Sequence, residues 1–144
     1  MNLPRLITCL CFLFFFVGSL AAEEPRLTQK RMAGWEAQME LFQRALYRHD
    51  YKKMADAMAV IEQTPEVHPK VQAALKATLE QREFNDYMKL DHYIRTNASL
   101  VIEQAGERDI QKLLIHQGRL IMACIQCHDT FLAKAVNAVR QAKH

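Results

Sequence analysis

Proline, glycine and cysteine are scarce in this 144-residue chain, with four of each. Prolines stop after Pro69, glycines are widely spaced, and Ala, Leu, Gln, Glu, Lys and Met dominate the rest, so little in the chain favours strands and most of it favours helix. Charge of one sign is not in large excess either. The formal net charge is +3, too close to neutral for this size to indicate a nucleic-acid partner. No internal repeat or low-complexity segment is visible. Of the four cysteines, only Cys124 and Cys127 lie outside the N-terminal apolar run, and they are too close together to staple a fold.

The N-terminus reads as an export signal. Arg5 precedes an unbroken apolar run from Leu6 to Val17, and Gly18-Ser19-Leu20-Ala21-Ala22 supplies small residues for a peptidase. The run is short for a membrane span, and the acidic Glu23-Glu24-Pro25 is no stop-transfer pattern. Cleavage after Ala21 or Ala22 leaves residues 23–144, with a charge of about +2, as one domain without a stable membrane span. The expected location is the periplasm. In an exported chain, a lone C-x-x-C pair is there for chemistry.

Apolar spacing predicts four amphipathic segments. The first runs from about Leu27 to Tyr47, with Met32, Trp35, Met39, Phe42 and Leu46 on one stripe. His49-Asp50 makes a turn, with Asp50 as cap for a second helix over 51–63 that carries Met54, Met58 and Ile61. Residues 64–69 form the linker. A third region follows over 70–104, with a break where its apolar phase shifts near Arg82 to Asn85. Gly106 is the expected terminator, and a fourth helix spans about 108–141. The predicted class is therefore all-α, an antiparallel four-helix bundle in which the first and last helices are neighbours.

Cys124-Ile125-Gln126-Cys127-His128 carries the chemistry, because C-x-x-C-H is the attachment pattern of c-type haem. Cysteines at i and i+3 lie on one helix face, where their thiols can add to the two vinyl groups of a porphyrin. The adjacent His128 then supplies the proximal iron ligand. Leu113, Leu120, Phe131 and Ala135 continue the same stripe. A structural zinc would need two more placed ligands, yet His49, His68, His92, His116 and His144 are scattered. A thiol-disulfide pair would sit after a strand, and none is predicted before Cys124. One covalent haem c, attached to the last helix, is the expected cofactor.

With an acidic residue and an aromatic after the motif, the stretch Cys124-Ile125-Gln126-Cys127-His128-Asp129-Thr130-Phe131, near the C-terminus of an exported helical chain, resembles the cytochrome c-prime family. It departs from that family at Leu132, where a basic residue is common, and at Ile121, where a glycine is common. The resemblance implies that the first helix covers the distal haem face, and that members often pair through their first two helices. It also implies two branches. A distal methionine gives six-coordinate iron for electron transfer, whereas an apolar residue leaves an open site for nitric oxide or carbon monoxide. Thr28-Gln29-Lys30-Arg31-Met32 is similar to the start of methionine-ligated members.

Met32 is the first candidate for the sixth ligand and Met39 the second, and an ordinary core role is open to both. Met32 is favoured if the last helix stops near Lys134, and Met39 if it continues to Gln141. Trp35 is read as a haem-packing or core aromatic, and Lys30 and Arg31 as solvated charges or propionate partners. His92 and His116 are read as surface or satisfied core residues. A peroxidase would need a distal base that the first helix does not offer. The expected function is non-enzymatic one-electron transfer between redox partner proteins, with gas binding as the alternative.

Overall fold

The computed structural model describes residues 23–141, so the expected signal segment and its cleavage site, in residues 1–22, lie outside the described residues. The five elements among the described residues are all helices: α1 Glu23–Tyr47, α2 Tyr51–Glu62, α3 Pro69–Thr78, α4 Gln81–Glu107 and α5 Ile110–Gln141. Among the described residues there is no strand, and no helix is long and apolar enough to cross a membrane.

Local chemistry sets the boundaries. After α1, His49 adopts a left-handed conformation (φ 54°), which lets the amides of His49 and Asp50 return to the carbonyls of Leu46 and Ala45. The Asp50 carboxylate then accepts from the Lys53 amide at 3.1 Å and caps α2, as its sequence position predicts. His68 caps α3 by accepting from the Lys70 amide, and Pro69 occupies the first turn, where its missing N–H costs no hydrogen bond.

Two boundaries differ from expectation. The break in the third region falls at Leu79-Glu80, ahead of Arg82, because Leu79 is extended and Glu80 forms a capping box with Glu83. A separate short helix, α3, results. Gly106 is not the terminator of α4. It lies inside the helix, and Arg108 takes the left-handed position (φ 57°), while Asp109 accepts from the Lys112 amide at 3.1 Å to start α5.

α4 packs between α2 and α5, α1 packs on α2, and α3 bridges towards α1 and α5. The main core joins Trp35 and Phe42 of α1 to Met54, Met58 and Ile61 of α2, Ile94 and Val101 of α4, and Leu113 and Leu120 of α5. Large side chains of this kind contribute roughly 1.5–3 kcal/mol each when fully buried. A second cluster seats α3 through Val71, Leu75 and Leu79 against Phe84, Tyr87 and Phe131. The backbones of α1 and α5 stay apart, and that gap positions the site.

Candidate functional site

Side chains from α1, α4 and α5 enclose a cavity of about 420 Å³. α5 contributes Cys124, Cys127, His128, Phe131 and Leu132. The i, i+3 spacing puts both thiols on the inward face, half-buried, while His128, one residue further round, is exposed at the rim. α1 contributes Thr28, Met32, Trp35, Glu36 and Met39, and α4 contributes Tyr87, Asp91 and Ile94. The volume lies within the roughly 300–1,000 Å³ of small-molecule and cofactor sites. Cys124 packs against the main core, together with Met32 and Met39, and Cys127 packs against the α3 cluster.

The four residues singled out in the sequence, Cys124, Cys127, His128 and Met32, therefore border one cavity, and Met39 and Trp35 border it too. α5 continues to Gln141, the condition on helix length that favours Met39. Both methionines remain on the wall.

One wall carries buried charge. Arg31 Nη2 donates to Asp91 Oδ1 at 2.6 Å, and its guanidinium lies 4.5 Å from the Trp35 ring centroid. Arg95 Nη2 approaches the other Asp91 oxygen at 3.3 Å, outside hydrogen-bond geometry, and reaches Glu66 at 3.6 Å. Trp35 Nε1 donates to Thr64 Oγ1 at 3.0 Å, and that hydroxyl donates to the Val60 carbonyl at 2.7 Å. The wall that carries Trp35 is thus tied to the connection after α2. Arg31 is neither a solvated charge nor free for another anion through Nη2.

Asp91 and Arg95 were not singled out by sequence reasoning. A signal existed for one of them, since Asp91 falls on the buried phase of α4 between Tyr87 and Ile94. Burial pushes the Cys127 thiol up to about 11, with help from neighbouring Cys124, and raises Cys124 by the same cause. Burial likewise pushes the Tyr87 hydroxyl up to about 12. The thiols facing the cavity are held neutral. His116 pairs with Asn97 at 3.3 Å and His92 is exposed, so neither joins the cavity. Among the described residues, no three His, Cys, Asp or Glu side chains gather as a metal-holding group.

The residues present fit a haem. A porphyrin needs an apolar slot, two thiols on one helix face and few polar ligands, and the cavity offers Trp35, Ile94, Tyr87 and Phe131 beside the two thiols, one imidazole and two thioethers. Compared with models of known protein families, with curated proteins and with solved structures, the chain matches none.

Proposed function

We propose that this chain is an exported c-type cytochrome of the cytochrome c-prime kind, acting in one-electron transfer between redox partner proteins in the periplasm. The observation that carries this reading is the meeting of Cys124, Cys127 and His128 with the thioethers of Met32 and Met39 around one apolar cavity. Cys124 and Cys127 would hold one haem by thioether bonds, and His128 and Met32 would ligate its iron. Bound haem supplies an iron that gains and loses one electron, at a potential set by its ligands and by the dielectric around it.

The chain's own residues do the rest. Trp35, Ile94, Tyr87 and Phe131 exclude water from the slot, which lowers its dielectric. The Arg31–Asp91 pair and the Trp35–Thr64 hydrogen bond fix the wall that bears Met32. The same reading makes α1, α2, α4 and α5 an antiparallel four-helix bundle, with α3 inserted in the connection from α2 to α4. Its support is the brevity of the other connections, which forces successive helices back alongside each other.

Mass spectrometry of protein made with the haem-maturation machinery tests the reading. One haem should add to the polypeptide and survive acid-acetone extraction, and Cys124→Ala with Cys127→Ala should abolish the adduct. Extraction of all pigment from the unmutated protein would overturn it.

A further inference from the structure

α5 carries two apolar seams. The inward seam, Leu113, Gln117, Leu120, Cys124, Cys127 and Phe131, follows alternating steps of four and three and faces the core and cavity. A second seam with the same alternation runs without a break from Gln111 to Val136, on the outer side of the helix. Ile115, Met122, Ile125, Leu132 and Val136 make its apolar positions, and they are between 40% and 64% exposed. A spacing of four and three sustained over nearly four heptads is the pattern of a helix that meets another helix lengthwise. Ordinary surface helices expose apolar residues singly rather than in register.

Two of the three other seam positions, Gly118 and Asp129, identify the partner and its direction. Gly118 is exposed, and a methyl group there would touch nothing within 4 Å, so its missing side chain leaves a notch open to solvent. Asp129 is the seam's sole charge. The seam is symmetric about the point between Ala123 and Cys124. If a second α5 lies against the first in the opposite direction, Met122 meets Ile125, Ile115 meets Leu132, and Asp129 of each copy meets the Gly118 notch of the other. Arg119 is next to that notch, and neither Arg119 nor Asp129 has an ion-pair partner among the described residues. A parallel pairing would instead set Asp129 against Asp129 in the seam, where like charges repel. The shallow groove beside the seam, floored by Leu90 and edged by Tyr93 and Lys89 of α4, leaves room for the second helix.

We infer that two copies of this chain pair through the outer seam of α5, antiparallel, with Asp129 seated at Gly118 beside Arg119 of the other copy. This surface differs from the first two helices, the pairing surface that the family resemblance implies. The isologous pairing closes on itself, and Leu132 belongs to both seam and cavity wall, so the partner helix covers one edge of the cavity.

Sedimentation velocity of the protein across a concentration series tests this. A dimer should form, and Met122→Glu with Ile125→Glu should weaken it about tenfold or more while far-ultraviolet circular dichroism stays unchanged. Should that double variant lose helix, the single surface changes decide instead: Asp129→Lys and Arg119→Glu should each weaken the dimer, and their combination should restore it. A monomer at every concentration, a dimer indifferent to the seam variants, or a combination no tighter than either single change would overturn the pairing. Association of a monomer with vesicles of anionic lipid, abolished by Met122→Glu, would overturn it in favour of a membrane surface.

Discussion

Arg31 and Asp91 stand 60 residues apart in the sequence and meet at 2.6 Å in the wall of the cavity, with both side chains largely buried. The pair ties α1 to α4 at the level of Met32 and Trp35. Removing one partner leaves the other charge buried without compensation. Asp91→Ala should therefore destabilise the protein by roughly 3–5 kcal/mol. Arg31→Met combined with Asp91→Leu should cost much less than Asp91→Ala alone. Urea unfolding of the three variants checks this, and a double variant as unstable as the single one would contradict it.

Trp35 is the chain's single tryptophan, so its fluorescence reports on the cavity wall alone. Its indole N–H is buried and donates to Thr64. Thr64→Val keeps the shape and removes the acceptor, which should cost about 1–3 kcal/mol and shift the emission of Trp35. An unchanged spectrum and unchanged unfolding midpoint would show that the hydrogen bond does not hold the wall.

Much of the fold could be read in advance because apolar spacing states which face of a helix is buried. The stripe of Trp35 and Phe42, the trio Met54, Met58 and Ile61, and the Asp50 cap all stand where spacing puts them. The break before α4 was misplaced because the apolar phase shift over Arg82 to Asn85 is softer evidence than a capping box, and the box at Glu80 and Glu83 sits ahead of it. Gly106 misled for a related reason: a glycine suits a helix end, but the chain stops where Asp109 can cap the next helix. At the site, C-x-x-C-H is legible because its members are adjacent in sequence. Asp91 and Arg95 are not, since a charged residue on a buried phase gains its meaning only from a partner on another helix.

The thiols give a pH prediction for the haem-free chain. Burial raises both cysteines, Cys127 to about 11, and raises Tyr87 to about 12. A raised acid pKa means that the folded state prefers the neutral form. The stability this gives is complete below the unfolded pKa values and is lost as pH rises through the folded ones. The haem-free protein should accordingly lose stability between about pH 9 and pH 12. At neutral pH its thiols should react with iodoacetamide far more slowly than those of the urea-unfolded chain. Equal rates in the two states would show that the thiols are not buried against the cavity wall.

On the proposed function Met32 carries the weight, because a thioether ligand to the iron would separate an electron carrier from a gas-binding module. Helix length favours Met39, since α5 runs to Gln141. The cavity lining points the other way. On α5 it spans Cys124 to Leu132 and centres on His128, and on α1 it spans Thr28 to Met39 and centres between Ala33 and Gly34. If the two helices run in opposite directions, the level of His128 falls about 2 Å along α1 from Met32 and about 8 Å from Met39, at 1.5 Å of rise per residue. The lining bears on the site directly, whereas the helix end lies beyond it, so Met32 is the stronger candidate. The ferric protein should be low-spin with a weak near-infrared sulfur-to-iron band, and Met32→Ala should turn it high-spin. Met39→Ala should leave the band in place and cost only packing. A loss of the band in Met39→Ala, but not in Met32→Ala, would transfer the role to Met39. A wild type that is already high-spin would move the function to binding nitric oxide or carbon monoxide, with both methionines as wall.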